Sequence, residues 1–157
     1  EDGRITLLSK RLPFAPGPGN LTNDDSIRAG LALVPFDADL NRLTLKIANP
    51  KASNYSVKWG DETREYSKQQ LAAGVNLAAD FIDHPLRQAF QKVWDAAAKK
   101  QAYETRQMKT LMHGPEGHAD MEATVALTEK VHAKLAKALG RSMAPVEHVI
   151  EIRAVVR

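Results

Sequence analysis

At 157 residues the chain is long enough for one domain with a real core, and an apolar share of 43% beside a charged share of 26% excludes a disordered or fibrous class. Twenty-two basic against nineteen acidic residues leave a net charge of +3, with the signs alternating along the second half, so no nucleic-acid partner is implied. The absence of cysteine removes disulfides, thiolate metal sites and thiol catalysis together, and no apolar run approaches the roughly 18 residues of a membrane span.

In chain order, Ile5, Leu7 and the following Ser9-Lys10-Arg11 suggest a short strand, stopped by Pro13 and by the turn-rich Pro16-Gly17-Pro18-Gly19-Asn20. Residues 1–20 therefore read as a strand and a Pro/Gly-rich linker. Residues 26–82 read as a strand-rich half. In it, Ile27 to Val34 is an apolar run broken by Gly30 and ended by Pro35, and Leu43, Leu45 and Ile47 alternate with Thr44 and Lys46 until Asn49-Pro50. Tyr55, Val57 and Trp59 alternate with Ser56 and Lys58, and Gly60-Asp61 supplies a turn into Thr63–Tyr66, which predicts a hairpin. Ser67 followed by Gln70 has capping-box spacing and Gly74 fits a helix stop, so a short helix over 68–73 is expected.

The period then changes. From Pro85, the residues Leu86, Phe90, Val93 and Ala97 recur at helical spacing, and the stripe resumes at Met108, Leu111 and Met112, predicting a helix over 85–112. The segment from His113 to His118 breaks it. Met121, Val125, Thr128, Leu135 and Leu139 define a second helix over 119–139 that ends at Gly140, giving a helical hairpin over 84–140. Val146, His148, Ile150, Ile152, Ala154 and Val156 alternate with charged residues, a C-terminal strand within 145–157. The expected fold is a single α+β domain over 1–157. Its mainly antiparallel sheet, from strands near 43–48, 55–59 and 146–154, packs against the long antiparallel two-helix hairpin.

Candidate chemistry is sparse. The pair Gly60-Asp61 approaches a Gly-Asp-Ser nucleophile turn, but Glu62 stands where the serine would be. No histidine follows an aspartate at a spacing of three, since Phe81, Thr110, Pro115, Glu129 and Pro145 precede His84, His113, His118, His132 and His148. No triad can be written, and Ser26, Ser53, Ser56 and Ser67 are the serines whose replacement would test for a hidden one. His113 and His118 share a Gly-rich loop, but two ligands are too few for a structural zinc site, so they stand as ligand-contact candidates only. Glu129-x-x-His132 has the spacing used in di-iron bundles, in a single copy where two are needed. Trp59, Tyr55 and Tyr66 could stack on a sugar, yet Tyr55 and Trp59 share the parity of Val57, which points inward. Trp59 and Tyr66 join the two loop histidines as candidates. No cofactor or metal is implied.

The phrases Leu-Asn-Arg-Leu-Thr-Leu from Leu40, Trp-Gly-Asp-Glu-Thr-Arg-Glu-Tyr from Trp59, Ala-Ala-Gly-Val-Asn-Leu-Ala from Ala72 and His-Gly-Pro-Glu-Gly-His-Ala-Asp-Met-Glu-Ala from His113 resemble the region that follows the catalytic part of bacterial SGNH/GDSL-type hydrolases. The resemblance implies a non-catalytic C-terminal segment or accessory domain of an esterase-like or lipase-like enzyme. It implies a parent that acts on esterified carbohydrate or lipid and is periplasmic or secreted. Its partner would be the catalytic part of the same or a separate chain, with a homo-oligomer through helix 85–112 as a further expectation. The match carries over no catalytic residue. Rival expectations are a glycan-binding module, for which exposed Trp59 and Tyr66 would be the mark, and a small hydrolase of unfamiliar geometry.

Overall fold

The structure is a computed structural model that describes residues 2–17, 27–31 and 33–155. The expected turn at 18–20 and the residues Ser26 and Val156 lie outside that range. The chain is α+β and divides into two compact units, one of Glu1–Phe90 with Pro145–Arg157, the other of Gln91–Ala144.

The first unit carries an antiparallel four-stranded sheet of β1 (Gly3–Ser9), β6 (Val146–Val155), β3 (Asn54–Trp59) and β4 (Glu62–Ser67), in that order. Alternation decides its faces. Tyr55, Val57 and Trp59 on β3 lie on the same side as His148, Ile150 and Ile152 on β6, and the register sets Val57 opposite Ile152 and Trp59 opposite Ile150. The core forms on that face, closed by Leu71, Leu77, Phe81 and Leu86. The other face carries the cross-strand pair Lys58 and Glu151.

The hairpin expected at Gly60-Asp61 is present, with Gly60 at a φ of 67°. Its turn abuts Pro85, whose Cδ lies 3.0 Å from where a Cβ on Gly60 would be, so a side chain there meets both strain and a wall. The short helix also forms as read: α3 (Lys68–Ala73) begins with the Ser67 hydroxyl accepting from the Gln70 amide while the Gln70 side chain accepts from the Ser67 amide. It stops at Gly74, at a φ of 110°.

Two expectations in this unit need correction. The segment at 43–48 is not part of the main sheet. Only Thr44–Leu45 (β2) is strand, and it pairs with Val75–Asn76 (β5) in a separate two-stranded ladder. The strand cannot run on because the Ile47 amide donates to the Leu71 carbonyl and Asn49 turns the chain at a φ of 54°. The described part of the apolar run at 27–34 is not strand either. Ile27–Leu31 is a helical turn (α1), and Phe36–Asp39 a second (α2) started after Pro35.

Two asparagines tie these pieces to the core. The buried Asn41 accepts from the Phe14 amide and donates to the Phe14 carbonyl and to Asp37. Asn76 accepts from the Leu43 amide and donates to the carbonyls of Asp37 and Asn41. α4 (Leu77–Asp80) follows directly, burying Leu77 and Ala78.

α5 (Arg87–Arg106) starts two residues later than expected, and the last turns of the expected helix, Gln107–Met112, are wound as a π-helix. In the second unit the chain breaks at 113–114 and again at Asp120, because Pro115 opens a further short helix, α6 (Pro115–Ala119), and Asp120 after it is extended. α7 runs from Met121 to Ser142, passing through Gly140, which the sequence marked as its end. Its start is capped by Asp120, which accepts from the Ala123 amide.

The hairpin is antiparallel, as expected, but its buried contacts are polar. Tyr103 donates to the Thr128 carbonyl, and the Gln107 amide to Thr128 Oγ1 and Glu129. α5 buries no side chain and α7 buries only Thr124 and Thr128, while Met108, Met121, Val125, Leu127 and Val131 are exposed. Among the described residues no helix is long and apolar enough to cross a membrane.

Candidate functional site

A grouping of chemically competent side chains lies at the end of the sheet where β1, β6 and β3 run side by side. Ser9 on β1 sits opposite Val146, two residues from His148 on the same face. His148 is likewise diagonal to Trp59, which is paired with Ile150. The result is a chain of contacts: His148 Nε2 lies 2.8 Å from Ser9 Oγ, and Trp59 Nε1 donates to His148 Nδ1 at 3.0 Å.

The indole fixes the chemistry of this pair. An indole N–H only donates, so His148 Nδ1 must present a lone pair, and the neutral ring then carries its proton on Nε2. That proton points at Ser9. A serine base needs the reverse arrangement, with Nε2 free to accept and Nδ1–H held by a carboxylate. Burial pushes the His148 pKa below its usual value, in favour of the neutral ring. Ser9 and His148 also border different depressions, the serine a groove of about 770 Å³ and the histidine a hollow of about 270 Å³ beside Lys58 and Glu151.

His84 completes the cluster from the other side, stacked on Trp59 with ring centres 4.5 Å apart and planes within 7°. It is 3% exposed, and burial drives its pKa down to about 4 against the pull of Asp83 and Glu62. Among the described residues its Nδ1 has no hydrogen-bond partner, and neither has Nε of Arg28. Both side chains border one cavity of about 30 Å³, the room of about one water molecule.

The residues marked by the sequence fall in both units, Trp59, Tyr66 and Glu62 in the first and His113, His118, Glu129 and His132 in the second. Trp59 is wholly buried and Tyr66 and Tyr55 nearly so, so none of the three rings is offered to a sugar. Tyr66 instead donates to Asp80 at 2.8 Å, and burial together with that carboxylate raises its pKa far above the ordinary tyrosine range. His113 and His118 are exposed at either end of the turn that leads through α6. Glu62, in the nucleophile position of the Gly-Asp turn, accepts from the Asp83 amide and holds the hairpin to the chain before α5. Glu129 and His132 meet Glu104: the imidazole Nδ1 lies 3.1 Å from Glu129 and Nε2 2.9 Å from Glu104, which also pairs with Lys100. Among the described residues no group of three histidines and carboxylates is arranged to hold a metal ion.

Of the serines singled out by the sequence, Ser67 is engaged as a helix cap, and among the described residues no hydrogen bond joins Ser53 or Ser56 to a histidine. Ser9, which the sequence does not single out, is the serine that lies next to a histidine. Its signal is absent from the local sequence, because 139 residues separate it from His148.

No protein-family model matches the chain, and neither does any curated protein. The chain is similar in fold to the solved structure of BT4096, a gut microbial diltiazem-metabolizing enzyme, with a TM-score of 0.63 at 18% sequence identity. The match covers 98% of this chain but 43% of that one, so this chain spans less than half the length of the protein it matches.

Proposed function

We propose that this chain is the non-catalytic C-terminal segment or accessory domain of an SGNH/GDSL-like hydrolase, one that acts on esterified carbohydrate or lipid at a periplasmic or secreted location. Its partner is the catalytic part of the same or a separate chain. The observation that carries the reading is the serine–histidine pair. Its proton sits on the nitrogen facing the serine, and an indole occupies the place where a triad has its carboxylate. The sequence phrases between Leu40 and Ala123 supply the link to the SGNH/GDSL group, and the fold likeness to part of a longer enzyme is in keeping with it. A homo-oligomer through helix 85–112 belongs to the same proposal, supported by the exposure of Trp94 and Met108.

The test is p-nitrophenyl acetate hydrolysis by the purified chain and by Ser9→Ala, Ser53→Ala, Ser56→Ala and Ser67→Ala variants. Slow, non-saturable release that persists in all four is expected, because no activated nucleophile and base are aligned. Saturable turnover abolished by Ser9→Ala would make the pair catalytic and end the accessory-domain reading.

A further inference from the structure

The groove beside Ser9 has the features of a docking surface. It lies within the first unit, has a volume of about 770 Å³, and runs from the end of β1 past Phe14 to α2 and the residues that follow it. Its walls are apolar where proteins ordinarily avoid it: Leu8 is 62% exposed and Leu40 77%. Phe14 forms the floor, packed edge-to-face against Phe36 and Phe90 at 5.3 and 5.2 Å. The shape is held in advance, because Asn41 clamps both backbone groups of Phe14 and Asn76 clamps Asn41. A ligand entering it would not have to order the walls.

The charge in the groove is one-sided. Lys10, Arg11 and Arg42 line it and are exposed, no lining residue is acidic, and among the described residues none of the three is in an ion pair. The chain as a whole is close to balance, so this sign is local. The third feature is the edge. β1 has β6 on one side and, among the described residues, no strand on the other, while Leu8 and Ser9 at its end line the groove. An edge strand offers main-chain donors and acceptors that only another polypeptide in extended form can use in register.

We propose that this groove receives an extended, acidic polypeptide segment from the catalytic part of the hydrolase. Its apolar side chains sit against Leu8, Phe14 and Leu40, and its carboxylates pair with Lys10, Arg11 and Arg42. The proposal rests on the accessory-domain reading for the source of the segment. A small amphiphilic anion would use the charge and the apolar wall but leave the strand edge idle. Nucleic acid would need more cations than three and would leave the exposed leucines uncovered.

The test uses a short peptide alternating leucine and glutamate, with amide shifts of the ¹⁵N-labelled chain and fluorescence anisotropy as readouts. Shifts confined to Leu8–Phe14 and Leu40–Leu43 are expected, with an affinity that falls as salt rises and drops by about tenfold or more in the Arg11→Glu/Arg42→Glu double variant. Both arginines are exposed, so that variant should fold, and its unchanged amide spectrum outside the groove checks this. A peptide with lysine for glutamate should not bind, and one with N-methylated backbone amides should lose most of its affinity. Equal binding of the lysine peptide, or shifts centred elsewhere, would overturn the groove assignment. Undiminished binding of the N-methylated peptide, or tighter binding of decanoate than of the peptide, would overturn the polypeptide as occupant. Saturable ester turnover by the isolated chain with peptide binding intact would sink the accessory-domain reading and leave the groove standing.

Discussion

His84 should make the first unit acid-sensitive in a range where carboxylates alone would not. The ring is 3% exposed, stacked on Trp59, and its pKa falls from 6.5 to about 4, chiefly because burial penalises the charged form, with His148 and Arg87 adding to the effect. The sign follows from linkage: a group whose folded pKa is depressed binds its proton more readily when unfolded, so protonation favours unfolding. The contribution of His84 is therefore whole above pH 6.5 and lost as the pH falls toward 4. A shift of about 2.5 units corresponds to about 3 kcal/mol, of which about 2 kcal/mol is gone by pH 5. His148, whose pKa is also lowered by burial, acts in the same direction. Urea unfolding of the wild type and of His84→Phe between pH 7.5 and 4 is the assay. Phenylalanine keeps the stack and cannot titrate, so its stability should decline less over that range, by about 2 kcal/mol at pH 5. Parallel pH profiles for the two proteins would refute the assignment of a buried, neutral imidazole.

The glycines of the second unit should respond in opposite ways to one extra methyl. Gly117 is buried, and a Cβ there would collide with the carbonyl oxygens of Met112 and Leu111 in the π-helical turns, so Gly117→Ala should cost about 1–3 kcal/mol or more in thermal unfolding. Gly140 lies within α7 with nothing near its Cβ position, so Gly140→Ala should be neutral to stabilising by up to about 1 kcal/mol; equal shifts for the two would contradict the close packing at Gly117. Tyr66→Phe removes the hydrogen bond to Asp80 and should destabilise by about 1 kcal/mol, and the wild-type tyrosine should stay unionised in ultraviolet titration well past the pH at which exposed tyrosines ionise. Ser67→Ala removes one half of the capping box and should cost about 1 kcal/mol by urea unfolding, with a null effect arguing against α3 as a determinant of the core.

The elements legible in the sequence are those written by neighbouring residues. The hairpin at Gly60, the cap from Ser67 to Gln70 and the alternation from Val146 each need only a few positions in a row, and each is present. What failed depends on partners far along the chain. Leu43, Leu45 and Ile47 alternate like a sheet strand, but the amide of Ile47 is taken by Leu71, so the segment joins α3 and β5 instead. A period of 3.6 residues does not foretell the π-helix either, since the buried Gln107 at its start is tied to Thr128 and Glu129 and its end is crowded by Gly114 and Gly117. The site shows the same division more sharply. The parity of Trp59 with Val57 points it into the core, where it lies, yet parity does not reveal that its nitrogen faces His148. Ser9 and His148 meet only because the strand order places β1 and β3 on either side of β6. That same order decides the chemistry: with β3 as the neighbour, an indole donor reaches Nδ1, and the imidazole is turned from a base toward Ser9 into a donor to it. Whether such a pair is catalytic or structural is thus set by the third residue, here Trp59. In Trp59→Phe the constraint on Nδ1 is lifted. The tautomer seen by ¹⁵N shifts should then change from wholly Nε2–H to a mixture, whereas an unaltered Nε2–H ring would mean that something other than the indole holds the proton there.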